Sequence, residues 1–236
     1  MPRGVLASGS FMFVRRIWFA AIVAGTLGTL APAAARAQEA AAQAAVRRAV
    51  DAWQAVRTVR ASFEQTVSNS LTGTSAHARG EYQQRRPDKL AVRFQDPDGD
   101  RIVADGTWLW LFLPSSTPGQ VIKRPETAQG SGTVDLTAQF LDHPFTKYDI
   151  ADGGADSVNG RPARLVILTP RADGPTEFSR AKVWIDDGDG YIRQFEVAQT
   201  NGVTRLVRLT SLQVNVPTDD AAFRFVMPKG ARVVTR

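Results

Sequence analysis

Cysteine is absent from the 236 residues, and histidine occurs only at His77 and His143. Without thiols there is no disulfide framework and no thiol nucleophile, and two histidines alone do not make a structural zinc site. The catalytic signatures are missing too. There is no Gly-x-Ser-x-Gly elbow, Walker loop or Gly-x-Gly-x-x-Gly turn, and Gly130-Ser131-Gly132 lacks the strand and helix that such motifs require. Asp96-Pro97-Asp98-Gly99-Asp100 begins like a calcium loop, but Arg101 and Thr107 stand where that loop needs glycine and a bidentate glutamate. No nucleophile has a placed base, so the expectation is a protein that is not an enzyme and uses neither metal nor cofactor.

What is present is the composition of a foldable chain, 43% apolar and 22% charged, of a size suited to one domain. The formal charge of +6 would hint at nucleic acid if the excess lay in the folded part. It does not. Arg15-Arg16, an apolar run from Ile17 to Leu30 and the small-residue end Ala35-Arg36-Ala37 have the three parts of a secretory signal peptide. The run is shorter than the roughly 20 apolar residues a membrane helix needs. Arg15-Arg16 is compatible with twin-arginine export as well, although Phe13-Val14 and Ile17-Trp18 suit that route poorly. Cleavage after Ala37 removes four arginines and no acid, which takes the formal charge from +6 to +2. The expectation is therefore a signal peptide over residues 1–37 and a single domain over 38–236. No cysteine is available at the cleavage site for lipid attachment, so the mature chain is expected free in a periplasm, without nucleic acid as a partner.

Between Glu39 and about Arg60, Val46, Ala49, Val50, Trp53, Val56 and Val59 recur at spacings of three and four, which predicts an amphipathic helix whose apolar stripe needs a cover. From Ala61 the period becomes two. Short strand patterns then follow one another, punctuated by Arg86-Pro87-Asp88, Asp96-Pro97-Asp98-Gly99, Asp105-Gly106, Asn159-Gly160, Asp189-Gly190 and Asn201-Gly202. Val134, Leu136, Phe140 and Leu141 suit a short mid-chain helix that Pro144 should stop. The expected fold is mainly β with an α lid: an incomplete, half-open antiparallel β-barrel of about 10–12 strands, covered by the N-terminal helix and the mid-chain helix.

In Trp108-Leu109-Trp110-Leu111-Phe112-Leu113 both faces of a strand are large and apolar. Either the strand is central and covered on both sides, or one face lines a cavity under the helices. In the second case Trp108, Trp110 and Phe112 line it together with Phe63, Tyr82, Leu90, Val92, Phe94 and Phe140. Val46, Val50, Trp53 and Val56 from the first helix, with Val134, Leu136 and Leu141 from the second, would form the lid. Periodicity does not choose between the two.

One string of motifs does. Val59-Arg60-Ala61-Ser62-Phe63-Glu64-Gln65 follows the helix, then Gly80-Glu81-Tyr82, Arg86-Pro87-Asp88-Lys89-Leu90, Arg93-Phe94, Asp96-Pro97, Ile102-Val103-Ala104-Asp105-Gly106 and Leu109-Trp110. Phe140-Leu141, Leu165-Val166-Ile167-Leu168-Thr169-Pro170 and Phe223-Arg224-Phe225 complete the order. In this combination the chain resembles the LolA-type outer-membrane lipoprotein carriers. Two places depart from that family: Thr133–Gln139 is more polar than its usual mid-chain helix, and Leu90 stands where a larger aromatic is common.

The resemblance implies a monomeric periplasmic carrier whose cavity takes the acyl chains of triacylated lipoproteins. It would receive them from an inner-membrane ABC transporter of the LolCDE type and pass them to an outer-membrane acceptor of the LolB type. It also implies that Arg86 bonds lid carbonyls and favours the closed form. A non-enzymatic regulator that senses lipid or lipoprotein on the same fold is the alternative.

Overall fold

The computed structural model describes residues 31–126, 137–171 and 178–235. Helix α1 (Ala31–Gln54) leads into β1 (Thr58–Asn69), β2 (Thr74–Arg85), β3 (Lys89–Asp96), β4 (Asp98–Asp105), β5 (Trp108–Phe112) and β6 (Gln120–Pro125). Two single-turn helices follow, α2 (Ala138–Leu141) and α3 (Pro144–Lys147), then β7 (Tyr148–Val158), β8 (Arg161–Pro170), β9 (Arg180–Asp186), β10 (Ile192–Ala198) and β11 (Val203–Val214). A 3-10 turn (Asp220–Phe223) and β12 (Arg232–Thr235) end the chain.

The twelve strands of the described residues belong to one sheet in the order β12-β6-β5-β4-β3-β2-β1-β11-β10-β9-β8-β7. Its edges are β12 and β7, which do not pair, so the barrel stays open as expected. Every neighbouring pair is antiparallel except β12 with β6, which is parallel. That exception follows from the last connection, which leaves β11 in the middle of the sheet and travels to the far edge instead of turning back in a hairpin.

An open curled sheet has two faces to cover. On one, α1 lies against β7, β8 and β9 and touches α2. Ala42, Ala45, Val46, Ala49 and Val56 are buried there in one core with Phe63, Leu90, Val92, Phe140, Val166, Val183, Phe195 and Leu209. The small residues of the α1 stripe let the helix axis approach the sheet, and Val46 and Val56 fill the space between. The helix is shorter at its C-terminal end than its pattern suggested: it stops at Gln54, and Val59 already alternates as part of β1. Nor does Pro144 end a helix. It opens α3 at the first position, where its missing N–H costs nothing, after His143 has turned the chain at φ 51.

The opposite face of β2–β5 is covered by the chain end. Phe223 is 2% exposed and packs with Ala91 and Ala222, while the Arg85 guanidinium lies 5.1 Å over its ring. Arg85 also pairs with Asp220, Arg93 donates to the Ala222 carbonyl at 3.2 Å, and Arg101 donates to the Val226 carbonyl at 3.0 Å. Arginines from three successive strands thus hold a strap that ends as β12 beside β6. Phe223→Ala should cost about 3 kcal/mol, the usual penalty for emptying a buried aromatic site. Urea unfolding followed by circular dichroism reads this as a lowered midpoint with an unchanged slope; an unaltered midpoint would show that the strap adds no stability.

Candidate functional site

The last turn of a helix leaves carbonyls without intrahelical donors, and α1 has no basic residue of its own there. The Val56 N–H donates to the Trp53 carbonyl at 3.1 Å, and two side chains from distant strands add donors there and to the link that follows the helix. Arg86, in the β2–β3 turn, donates from Nη1 to the Trp53 carbonyl at 2.9 Å and, more weakly, to the Val56 carbonyl at 3.4 Å. Its guanidinium lies 5.0 Å from the Trp53 ring centroid, a cation–π contact, and its backbone N–H donates to the Arg57 carbonyl at 2.9 Å. Asn215, just beyond β11 at φ 55, donates from Nδ2 to the Ala55 carbonyl at 3.2 Å and accepts from the Arg57 N–H at 2.8 Å. A planar, permanently charged guanidinium can bond carbonyls from its edge while its face lies on a ring, a geometry that a compact ammonium reproduces only in part.

Beneath this junction lies an apolar pocket of about 30 Å³. Trp53 of α1 and Leu141 of α2 form its roof, Tyr82 and Leu212 its floor, and Tyr191 and Ile192 a side wall. Tyr82 donates from its hydroxyl to Gln84 Oε1 at 3.0 Å, so the buried phenol is satisfied without water. A space of that size has room for about two waters.

The side wall belongs to the β9–β10 hairpin, built on Asp186, which is 1% exposed. Asp186 accepts from Arg161, from Arg193 Nε at 3.2 Å and from the N–H groups of Gly188 and Asp189 at 2.9 and 3.2 Å. Burial pushes its carboxyl pKa up, but the Arg161 bond, the two backbone donors and the Arg193 charge outweigh that and hold it far below the ordinary carboxylate range.

Residues 54–226 match the family model described as "Outer membrane lipoprotein carrier protein LolA". The chain belongs to this family. An outer-membrane lipoprotein carrier protein of Haemophilus ducreyi is 28% identical over 176 residues, covering 73% of this chain and 76% of the relative. One from Cupriavidus necator is 29% identical over 188 residues, covering 76% and 82%. An uncharacterized conserved protein of Thermus thermophilus shares the fold at a TM-score of 0.51 and 15% identity, covering 83% of this chain and 99% of its own.

In this LolA-family chain the residues expected around a cavity divide by sheet face. Tyr82 lines the pocket; Phe63, Leu90, Val92 and Phe140 are buried in the core that continues from it, and Phe94 packs edge-on to Phe63 at 5.6 Å. Trp108, Trp110 and Phe112 do not belong with them. On β5 it is Leu109 and Leu111 that join the core shared with α1, so the three aromatics point to the other side. There Trp110 stacks on Phe225 at 5.0 Å, Lys123 sits 3.7 Å over Trp108, and Arg101 sits 5.2 Å over Phe112. Both faces of this strand are large because two different layers cover it.

Of the lid residues, Val46 and Val56 are buried, Val50 packs against the core, and Trp53 and Leu141 line the pocket. Val134 and Leu136 lie outside the described residues. The sequence does not mark Leu209, Leu212 or Asn215, and it marks Gly190 only as part of a hairpin turn. The first two lie on the same face despite a spacing of three, because the register slips one residue opposite Ser62 and Phe63. Asn215 carries only the weak signal of an Asn after a strand.

Two outcomes follow. Arg86→Leu should weaken the exit of α1 by about 2 kcal/mol, the value of a hydrogen bond to a charged donor, and Arg86→Lys should recover only part of it; hydrogen exchange of the amides around Trp53 reads both, and equal exchange in all three proteins would remove Arg86 from this junction. For Asp186 the depressed native pKa means stability that is present above the unfolded carboxylate pKa of about 3.9 and is lost as pH falls below it. Asp186→Asn should therefore be destabilised by about 1–3 kcal/mol at pH 7, and chemical unfolding should show the gap to wild type closing below about pH 4. A gap that is constant down to pH 2 would contradict the assignment.

Proposed function

We propose that the protein carries triacylated lipoproteins through a periplasm, holding their acyl chains between α1 and the sheet. The observation that supports this best is the apolar pocket covered by a helix whose exit is held to the sheet by Arg86, at the Trp53 carbonyl that also takes the Val56 N–H. A side chain from another part of the sheet can let go without unfolding α1. The pocket as it stands is far too small for an acyl chain, so loading requires α1 to rise.

The energetics explain why a closed empty state is useful. Burying a chain of about 16 carbons at roughly 0.8 kcal/mol per methylene gives about 12 kcal/mol before costs, close to nanomolar binding. A carrier that bound so tightly would not let go. The closing energy of α1 on an empty pocket subtracts from that affinity, and cargo can then pass to a stickier acceptor. On this reading Arg86 closes the lid, the cargo arrives from a LolCDE-type ABC transporter of the inner membrane, and an acceptor of the LolB type takes it at the outer membrane. Residues 1–37 would be a cleaved signal peptide and the mature chain from 38 a monomer in the periplasm. Among the described residues no helix is long and apolar enough to cross a membrane. Carriage needs no catalytic group, and the ionised side chains near the pocket serve the hairpin and the helix end.

The test is native mass spectrometry of the protein isolated from periplasm, with Arg86→Leu alongside. Wild type should carry triacylated protein in part, and the variant should retain more of it and transfer less to acceptor vesicles. Free lipid or a signalling protein in place of acylated cargo would overturn carriage, and wild-type handover by the variant would remove Arg86 from lid closure.

A further inference from the structure

Arg86 and Asn215 hold α1 from the β1–β2–β11 side of the sheet. The other half of the open sheet reaches the same helix through the Asp186–Ile192 hairpin, at a point one to two turns earlier. Gly190 lies so close to the helix that a Cβ built on it would come within 3.1 Å of the Arg48 carbonyl oxygen, 3.3 Å of its carbon and 3.4 Å of Ala52 Cβ. The contact is backbone against backbone, which cannot give way as a flexible side chain could. Beside it Arg48 pairs with Asp187 at 3.5 Å across an exposed rim, an ion pair that adds little by itself. The next residues, Tyr191 and Ile192, are the pocket wall. The hairpin is stiff: Asp186 gathers donors from Arg161, Arg193, Gly188 and Asp189, so its tip presents a fixed surface.

We infer that this hairpin is a second clasp on α1 and that Gly190, facing Ala52, is the positioning residue that sets how closely the helix closes over the pocket. The inference rests on the carrier reading for its consequence, but its geometry does not. With Arg86 on one half of the sheet and Gly190 on the other, α1 braces the open barrel across its mouth. A chain entering between α1 and the sheet must separate the helix from the hairpin before it touches Tyr191 and Ile192. The closeness of that contact then contributes directly to the closing energy set against cargo affinity.

A methyl or larger group at this contact acts as a wedge and can be placed from either side. Gly190→Ala wedges from the hairpin but also strains a residue at φ +75; Gly160→Ala carries the same strain at φ +76 with nothing within 4 Å, and is the matched control. Ala52→Leu wedges from the helix and leaves both glycines alone, so the question stays open to test if Gly190→Ala folds poorly. Hydrogen exchange of the α1 amides from Ala49 to Gln54, referenced to those of β8 and β9, should quicken about tenfold in both wedge variants and stay at wild type in Gly160→Ala. A fluorescent 16-carbon fatty acid should bind the wedge variants more tightly than wild type. Exchange in both wedge variants that tracks Gly160→Ala overturns the clasp, even if the fatty acid binds normally and Arg86→Leu binds it more tightly. Quickened α1 exchange with no fatty-acid binding by any variant leaves the clasp standing and removes the carrier reading instead.

Discussion

A helix that covers an apolar sheet face must end somewhere, and its last carbonyls must be satisfied. In this chain the Trp53 carbonyl takes the Val56 N–H and Arg86, and the Ala55 carbonyl just beyond the helix takes Asn215; the two side chains belong to strand ends 33 and 160 residues away in sequence. Most else in the molecule is organised around that junction. The β2–β3 turn is placed by the register of β2 against β1, and only three residues separate the helix from β1, so with α1 down on the sheet the arginine lies within reach of these carbonyls. A bond made by another segment is also reversible in a way an intrahelical bond is not, and that is what a cover over a binding site needs.

Two coverings of opposite character share the sheet. The strap on the outer side is fastened through Phe223, Phe225 and the arginines at 85, 93 and 101, with a buried aromatic at its centre and a strand pairing at its end. It has the features of a permanent layer. The helix on the inner side is rich in alanine and presents few large side chains to the sheet, and its contacts with the β9–β10 hairpin are backbone approaches and one exposed ion pair. Burial by alanines contributes less per residue than burial by leucines or phenylalanines. The inner cover is therefore the weaker one, which suits a cover that moves, while the aromatic capacity of β5 goes to the layer that does not.

The alternation of small strands, the turn dipeptides and the amphipathic helix made the open barrel and its helical cover legible in the sequence. The motif string around Arg86 made the junction legible through family resemblance, not through physics alone: nothing in Arg85-Arg86-Pro87 says which arginine turns toward the helix. Alternation separates the two faces of β5 but does not label which of them carries Trp108, Trp110 and Phe112. The label comes from Phe223 and Phe225, more than 100 residues later, which claim the outer face. A register slip breaks strict alternation at Leu209 and Leu212 in β11, and in sequence Gly190 is one hairpin glycine among several, set apart only by the helix beside it.

To admit an acyl chain, α1 must move away from the sheet. The absence of cysteine makes it directly measurable, since Asp51→Cys on α1 and Ser157→Cys on β7 would be the only two labelling sites. Pulsed electron resonance between spin labels there should give one short distance in the empty protein and a distinctly longer one after an acylated lipoprotein is added. An unchanged distance with cargo demonstrably bound would contradict a moving cover and place the cargo elsewhere on the molecule.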